Sequence, residues 1–277
     1  MVNQQLAKPF LRWAGGKSRI ANFLEEHLPP NFTNGNRYYE PFLGAGSLFF
    51  RLNPLKATLS DDNKDLIECY KAVKKRPELI ARYLKKHLLN NCEDHYYKMR
   101  NKYNCSNPSI ARAALFIYLN KTCFNGIWRV NKKGFFNVPY GYIESPALPS
   151  KEDLLKLSKA LSRAKIIHKD YKHIVKYAEK GDFVYFDPPY PPLNGTSYFT
   201  HYTKEGFDKR NHSELASVAK ILNKKGCYIM VSNADIPYIR SLYKDIFNLH
   251  ELEVTRLIRS DGKRYKVQEL VITNYEV

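Results

Sequence analysis

Two rhythms of hydrophobic and polar residues divide the chain. In the first, short apolar runs bounded by turn residues alternate with stretches whose apolar positions recur every three or four residues, the pattern of strands alternating with helices. Strands are predicted near residues 37–40, 57–62, 165–168, 183–186 and 227–232. Helices are predicted around Ile20, Phe23, Leu24 and Leu28, around Leu154, Leu155, Leu157 and Leu161, and around Leu215, Val218, Ala219 and Leu222, with a short one over 171–178. Strands near 252–258 and 269–275 have no helical stretch between them and are expected to pair as a hairpin. This alternation predicts an α/β fold built on a largely parallel sheet. From about residue 64 to 150 the second rhythm takes over. Apolar positions Leu66, Ile67, Tyr70 and Val73, then Leu79, Ile80, Tyr83 and Leu84, then the run 110–119, mark helices with lysine-rich polar sides. A β-hairpin over residues 127–137, turning at 131–134, is expected to close that stretch.

Charge changes the picture more than composition does. Lys and Arg number 45 against 27 acids, a net charge of +18, and the excess runs along the whole chain. A field of that sign favours polyanions, nucleic acid above all, and makes binding salt-dependent. No apolar run is long enough to span a membrane, and Met1 to Lys8 lacks the apolar core of a secretory signal. Five scattered cysteines form no C-x-x-C pair and the eight histidines show no metal-ligand spacing. Neither a metal nor a disulfide framework is expected, and the compartment expected is a reducing cytoplasm.

Three motifs carry the candidate chemistry. In Phe183-Val184-Tyr185-Phe186-Asp187-Pro188-Pro189-Tyr190, Asp187 falls at the carboxyl end of a buried strand, where open α/β sheets place their ligands. The prolines keep the following backbone stiff and extended, with its carbonyls outside any helix. A carboxylate, a rigid carbonyl and the flat ring of Tyr190 suit a planar base bearing an exocyclic amine. In Arg37 to Phe50 a strand, the turn Gly44-Ala45-Gly46 and an apolar helix open a nucleotide-binding βαβ unit. That turn lacks the Lys-Ser/Thr of a phosphate-binding loop, which argues against ATP or GTP. The acids that end the next strand, Asp61 and Asp62, stand where a carboxylate takes ribose hydroxyls, although Asp62 or Asn63 could instead cap the following helix. In Phe10-Leu11-Arg12-Trp13-Ala14-Gly15-Gly16-Lys17, a Gly-Gly-Lys turn before a helix can hold an anionic group beside a flat indole. Arg129, Lys132 and Lys133 alternate with aromatics along the expected hairpin, a pattern suited to a DNA groove.

Together these segments resemble the Dam-type DNA adenine-N6 methyltransferases. The likeness extends to Phe124-Asn125-Gly126, Arg129-Val130-Asn131, Phe136 to Gly141 and Pro192-Leu193, and it covers nearly the whole chain. The resemblance implies a Rossmann-like catalytic domain over residues 1–62 and 151–277, with an inserted, mostly helical target-recognition domain over 63–150 bearing the hairpin. It implies S-adenosylmethionine as cofactor, held by Trp13, Lys17 (at the methionine carboxylate), Phe42, Gly44, Gly46, Asp61, Asp170 and Asp187. It implies Asp187 and the Pro188 carbonyl as acceptors for the target amine, with Tyr190 stacking on a base flipped out of the duplex. Arg129 would read a guanine, Arg12 another guanine or a phosphate, and Phe124 would insert into the helix. Ile127 and Pro139 would touch bases, with Asn125, Asn131 and Lys132 completing the DNA contacts. The implied partner is double-stranded DNA methylated at GATC, with a cognate restriction endonuclease as a further candidate, in a bacterial or phage setting. Family members carry Arg-Tyr after the V-P-x-G segment, whereas this chain has Tyr142-Ile143. That departure leaves the last base of the site open. Read from residues alone, cytosine-N4 methylation, RNA or protein methylation, and a silent DNA-binding module remain alternatives.

Overall fold

The computed structural model describes residues 6–17, 20–30, 32, 35–191, 207–257 and 264–277. Its strands are β1 (Tyr38–Glu40), β2 (Ala57–Asp61), β3 (Ala164–His168), β4 (Phe183–Phe186), β5 (Tyr228–Ala234), β6 (Asn248–Leu257) and β7 (Arg264–Thr273). They form one sheet in the order β3-β2-β1-β4-β5-β7-β6. β1, β2, β4 and β5 run parallel, while β7 is antiparallel to both β5 and β6. The predicted α/β class and the terminal hairpin both hold. Strand order reverses between β1 and β4, and an open sheet binds its ligand at the carboxyl ends on either side of such a switch point. Glu40 and Asp187 stand at those two ends.

Its helices are α1 (Ala21–Glu26), α2 (Ser47–Leu52), α3 (Lys64–Lys75), α4 (Pro77–Leu89), α5 (Glu93–Cys105), α6 (Ile110–Thr122), α7 (Lys151–Leu161), α8 (Lys209–Lys224) and α9 (Pro237–Tyr243). Among the described residues none is long and apolar enough to cross a membrane. The chain divides into two compact units, one of Met1–Gly16, Gly44–Asn53 and Asp61–His168, the other of Lys17–Leu43, Pro54–Ser60 and Lys169–Val277.

The second unit is organised on β4, whose four residues are all buried. With parallel neighbours on both sides, that strand can present only apolar side chains, which is why its sequence does not alternate. α8 begins at a reciprocal cap between Asp208 and Asn211. It buries Leu215, Ala216, Val218, Ala219 and Leu222 in one core with Val184, Phe186, Ile229 and Val231. Each fully buried leucine there contributes about 2 kcal/mol.

The first unit is built around α6, which is buried from Ala113 to Asn120 on every side. A helix apolar all round needs neighbours all round, and α3, α4 and α5 pack against it. Arg112 of α6 pairs with Asp65 of α3 at 2.7 Å, and the Tyr103 hydroxyl of α5 donates to the same carboxylate at 2.6 Å. Burial pushes the Asp65 carboxyl up, but the side-chain bonds from Arg112 and Tyr103 and the charges of Arg112 and Lys64 together outweigh it and hold Asp65 below the usual carboxylate range. α5 was not legible from apolar periodicity because its buried face is Tyr96, Met99 and Tyr103 in an otherwise polar segment. α9 was missed because it is only seven residues long.

The hairpin expected over residues 127–137 is reduced to a single antiparallel bridge, Val130 with Phe136. Side chains of α5 take the place of further ladder bonds. Asn104 donates to the Phe136 carbonyl and accepts from its N–H, while Tyr96 and Arg100 donate to the Val138 carbonyl. Trp128 anchors the segment by stacking on Phe136 with ring centres 4.2 Å apart, and its ring lies 3.9 Å from that of Phe116.

Candidate active site

β4 ends at Phe186 because Pro188 and Pro189 have no N–H to give to a ladder, and Asp187 emerges at that point. Within the second unit Lys17 reaches the same place. Its Nζ lies 2.6 Å from Asp187 Oδ1, and both side chains are largely buried. The same ammonium stands 4.6 Å from the centre of the Tyr190 ring, a cation–π contact. Lys17 was expected at a cofactor carboxylate; the structure pairs it with Asp187. The Tyr190 hydroxyl donates to Glu269 Oε2 at 3.0 Å. Burial, and then the charges of Asp187 and Glu269, push that phenol well above its ordinary range, so it remains a donor.

Two other carboxylates of this unit were not assigned from sequence. Glu40, 2% exposed, accepts from the Tyr38 hydroxyl at 2.9 Å. Glu269, 4% exposed, lies on β7 opposite Ala234 of β5. The signal for Glu269 was present, since it shares strand parity with Val271 and Thr273, both buried, and an acid at a buried parity is conspicuous. Phe42 stacks on Tyr171 at 5.2 Å and meets Phe207 edge-on at 5.7 Å. Asp170, exposed, caps the short 3₁₀ segment Tyr171–Lys176 by accepting from Lys172 N–H at 2.8 Å.

In the first unit the G-x-G turn is fixed on both sides. Gly44 N–H donates to Asp61 Oδ2 at 3.0 Å, and the Tyr70 hydroxyl donates to the Gly44 carbonyl at 3.0 Å. Gly44 adopts φ +47°, and a Cβ there would lie 2.9 Å from Cδ1 of Trp13. The indole itself rests on Phe116. Gly46, at φ +66°, begins α2. Asp61 also accepts from Asn63 N–H at 2.9 Å. Burial outweighs these two bonds and raises the Asp61 carboxyl to about 6. Asn63, not Asp62, caps α3, accepting from Leu66 N–H.

The residues expected to meet DNA all belong to this first unit. Arg12 is exposed, and its backbone is clamped by buried Asn120. Arg12 N–H donates to Asn120 Oδ1 at 2.8 Å, and Asn120 Nδ2 donates back to the Arg12 carbonyl at 2.7 Å. The Arg12 stem lies across Gly126, where a Cβ would come within 2.4 Å of Arg12 Cδ. Phe124 is 51% exposed, Asn125 turns the chain at φ +54°, and Ile127 is half-buried while Pro139 and Lys132 are exposed. Arg129 Nε donates to Asn137 Oδ1 at 3.0 Å. Asn131 Oδ1 is taken up at the tip by the N–H groups of Lys133 and Phe135. Tyr142 is exposed with φ +53° and donates to Glu93 at 3.1 Å. Pro192 and Leu193, part of the resemblance, lie outside the described residues.

Strand order, the acid that closes β4 and the G-x-G turn define a Rossmann-like methyltransferase. The D12 class N6 adenine-specific DNA methyltransferase profile matches residues 13–258. The chain is 39% identical over 275 residues to the type II methyltransferase M1.LlaDCHI of Lactococcus lactis, covering 97% of this chain and 95% of that one. It is 40% identical to the type II methyltransferase M.MjaIII of Methanocaldococcus jannaschii, over 97% and 99% of the two chains. Identity to the DNA adenine methylase of Escherichia coli is 35%, over 95% and 94%. The chain belongs to the D12 class of N6 adenine-specific DNA methyltransferases. Its substrate is therefore DNA, its target base adenine, and the family reaction implies S-adenosylmethionine as methyl donor. The cytosine-N4, RNA, protein and binding-only alternatives fall with that membership.

Proposed function

We propose that this enzyme methylates adenine in GATC sites of double-stranded DNA after rotating the base out of the duplex into the space around Asp187, Pro188 and Tyr190. The observation that carries the proposal is the strand-end constellation of Asp187, Lys17 and Tyr190, in which every side chain is held by another. Adenine N6 is a poor nucleophile because its lone pair is conjugated with the ring. Acceptance of its two N–H bonds by the Asp187 carboxylate and the Pro188 carbonyl favours the pyramidal nitrogen that the transition state requires. Tyr190 supplies the stacking face that replaces the base's neighbours in the duplex. Lys17 balances the Asp187 charge, so that the carboxylate acts as an acceptor beside a cation.

The donor set fits S-adenosylmethionine. In the second unit Lys17, Asp170 and Asp187 offer an ammonium and carboxylates to its charged amino-acid end and adenine, with Phe42 as an apolar surface. In the first unit Asp61 offers acceptors for hydroxyls, while Gly44 leaves no side chain between the backbone and Trp13. When bound, the cofactor supplies a methyl group activated by a sulfonium. Residues 63–150 serve as the target-recognition domain in this reading, with Arg12 and Arg129 as candidates for bidentate contacts to guanine and Phe124 as the wedge.

Plasmid DNA methylated with labelled cofactor, hydrolysed to nucleosides and mapped, tests the proposal. N6-methyladenine confined to GATC is the expected result. N6-methyladenine at sites with another last base would refute GATC and implicate Tyr142 and Ile143. Asp187→Ala should abolish transfer while sparing DNA binding, and retained transfer would refute the acceptor role.

A further inference from the structure

Glu269 is a carboxylate in the interior of a sheet strand, where Val or Leu would stabilise the fold. Its neighbours Leu270, Val271 and Ile272 are fully buried, and the Glu269 side chain is nearly so. A buried charged group costs stability unless hydrogen bonds compensate it. Breaches of this kind in an otherwise consistent core tend to mark function. The hydroxyl of Tyr190 meets this carboxylate at 3.0 Å. Stacking alone does not explain that hydroxyl, because a phenylalanine ring presents the same face.

We propose that Glu269 is a positioning residue for methyl transfer, fixing the Tyr190 ring against which the target adenine is held. The Cζ–O bond lies on the axis of the ring's χ2 rotation. The hydrogen bond to Glu269 therefore sets where the ring tip lies. The tilt of the ring is set separately, by Lys17 over its face and by the stiff Pro188-Pro189 backbone behind it. The base is then presented to Asp187 from a surface tied at three points, and its orientation at the acceptors governs the rate. Binding of DNA and cofactor does not depend on this tie, so the effect belongs in the transfer step. The inference rests on the stacking role assigned to Tyr190 above.

Single-turnover transfer rates and dissociation constants for Glu269→Ala, Glu269→Gln, Tyr190→Phe and the double variant Tyr190→Phe/Glu269→Ala test it, with a thermal melt for each. Glu269→Ala should slow transfer about tenfold, about 1.4 kcal/mol, with both dissociation constants within about twofold of wild type. Tyr190→Phe should match it, and the double variant should be no slower than the slower single. Glu269→Gln keeps an acceptor oxygen and should recover most of the rate. Multiplied losses in the double variant, or a wild-type rate in a folded Glu269→Ala, would overturn the inference. Should Glu269→Ala fail to fold, a wild-type rate for Tyr190→Phe would overturn it equally. The stacking reading has its own test in Tyr190→Ala. An unchanged rate there defeats stacking, whereas a slow Tyr190→Ala beside a fast Glu269→Ala defeats only the positioning role.

Discussion

Asp61 is an acid whose ionisation the fold opposes, and its titration gives a measurable prediction. Two backbone N–H groups, those of Gly44 and Asn63, favour its anion. Burial outweighs them, and the carboxyl moves from 3.8 up to about 6. The sign follows from the direction. A folded state that holds a proton more tightly than the unfolded chain gains stability from it below the unfolded pKa, and loses that gain as pH rises through the folded one. The window therefore runs from about pH 4 to about pH 6. A shift of about two units corresponds to about 3 kcal/mol over the full range, of which about 2 kcal/mol falls between pH 4.5 and 7.

Asp61→Asn removes the titration and also replaces one acceptor oxygen with an NH2 that faces a backbone donor. At pH 7 the relief of about 3 kcal/mol, already net of the two backbone bonds to the anion, is opposed by the cost of a buried NH2 facing a backbone donor, about 1–3 kcal/mol, and the two nearly cancel. At pH 4.5 only part of the relief remains, and the variant should be the less stable protein. Urea unfolding of both proteins at pH 4.5, 5.5, 6.5 and 7.5 isolates the term, because every other titrating group is common to the pair. Wild type should lose about 2 kcal/mol more than the variant across that series. Parallel stability curves would refute the assignment. If the Asp61 anion also receives cofactor hydroxyls, the wild-type dissociation constant for S-adenosylmethionine should tighten as pH rises through about 6, and the variant's should stay flat.

Two further perturbations address the DNA contacts proposed for the first unit. Asn120→Ala strips two hydrogen bonds from the Arg12 backbone. It should cost about 2 kcal/mol of stability by urea titration and, with Arg12 in its proposed role at a guanine, weaken discrimination at that base pair; unchanged stability would show that the clamp carries no energy. Arg129→Ala should relax specificity at one base pair by about 1–3 kcal/mol, measured by competition between cognate and single-mismatch duplexes. A uniform loss on all sequences would mark Arg129 as a phosphate contact instead.

The fold was legible where the chain's own chemistry dictates it. Four apolar residues followed by Asp-Pro-Pro can be little other than a buried strand stopping at an acid, and β4 with Asp187 is that. The last two strands had no helix between them and paired accordingly. Asn63 was one of two caps open for α3, and the structure chose it. What escaped were partnerships made across long stretches of sequence. A single-bridge hairpin could not be foreseen from residues 127–137, because the groups that replace its ladder belong to Tyr96, Arg100 and Asn104, on a helix whose buried face is aromatic and sparse. Lys17 beside Asp187 and Glu269 beside Tyr190 are pairs 170 and 79 positions apart in the chain.

Those pairings change what the motifs mean. A motif marks the position at which a residue type is required, but the atoms available for chemistry are those its neighbours leave uncommitted. Both backbone groups of Gly44 are engaged within its own unit, by Asp61 and Tyr70, so the part proposed for the turn in binding rests on its lack of a side chain beside Trp13 more than on its hydrogen bonds. The Asn131 amide oxygen is committed to the loop tip, which makes Asn131 a determinant of the loop's shape before it is a reader of DNA. Arg129 meets Asn137 through Nε, and Nε is one of only two edges from which a guanidinium can offer paired donors to a guanine. A bidentate contact through the other edge leaves the Asn137 bond intact and turns that asparagine into a brace for the arginine. Sequence assigned Arg129 to reading and gave Asn137 no part. In the reading role proposed for Arg129 the two residues act together, so Asn137→Ala should loosen specificity at the same base pair as Arg129→Ala, and the double variant should lose less than the sum of the two.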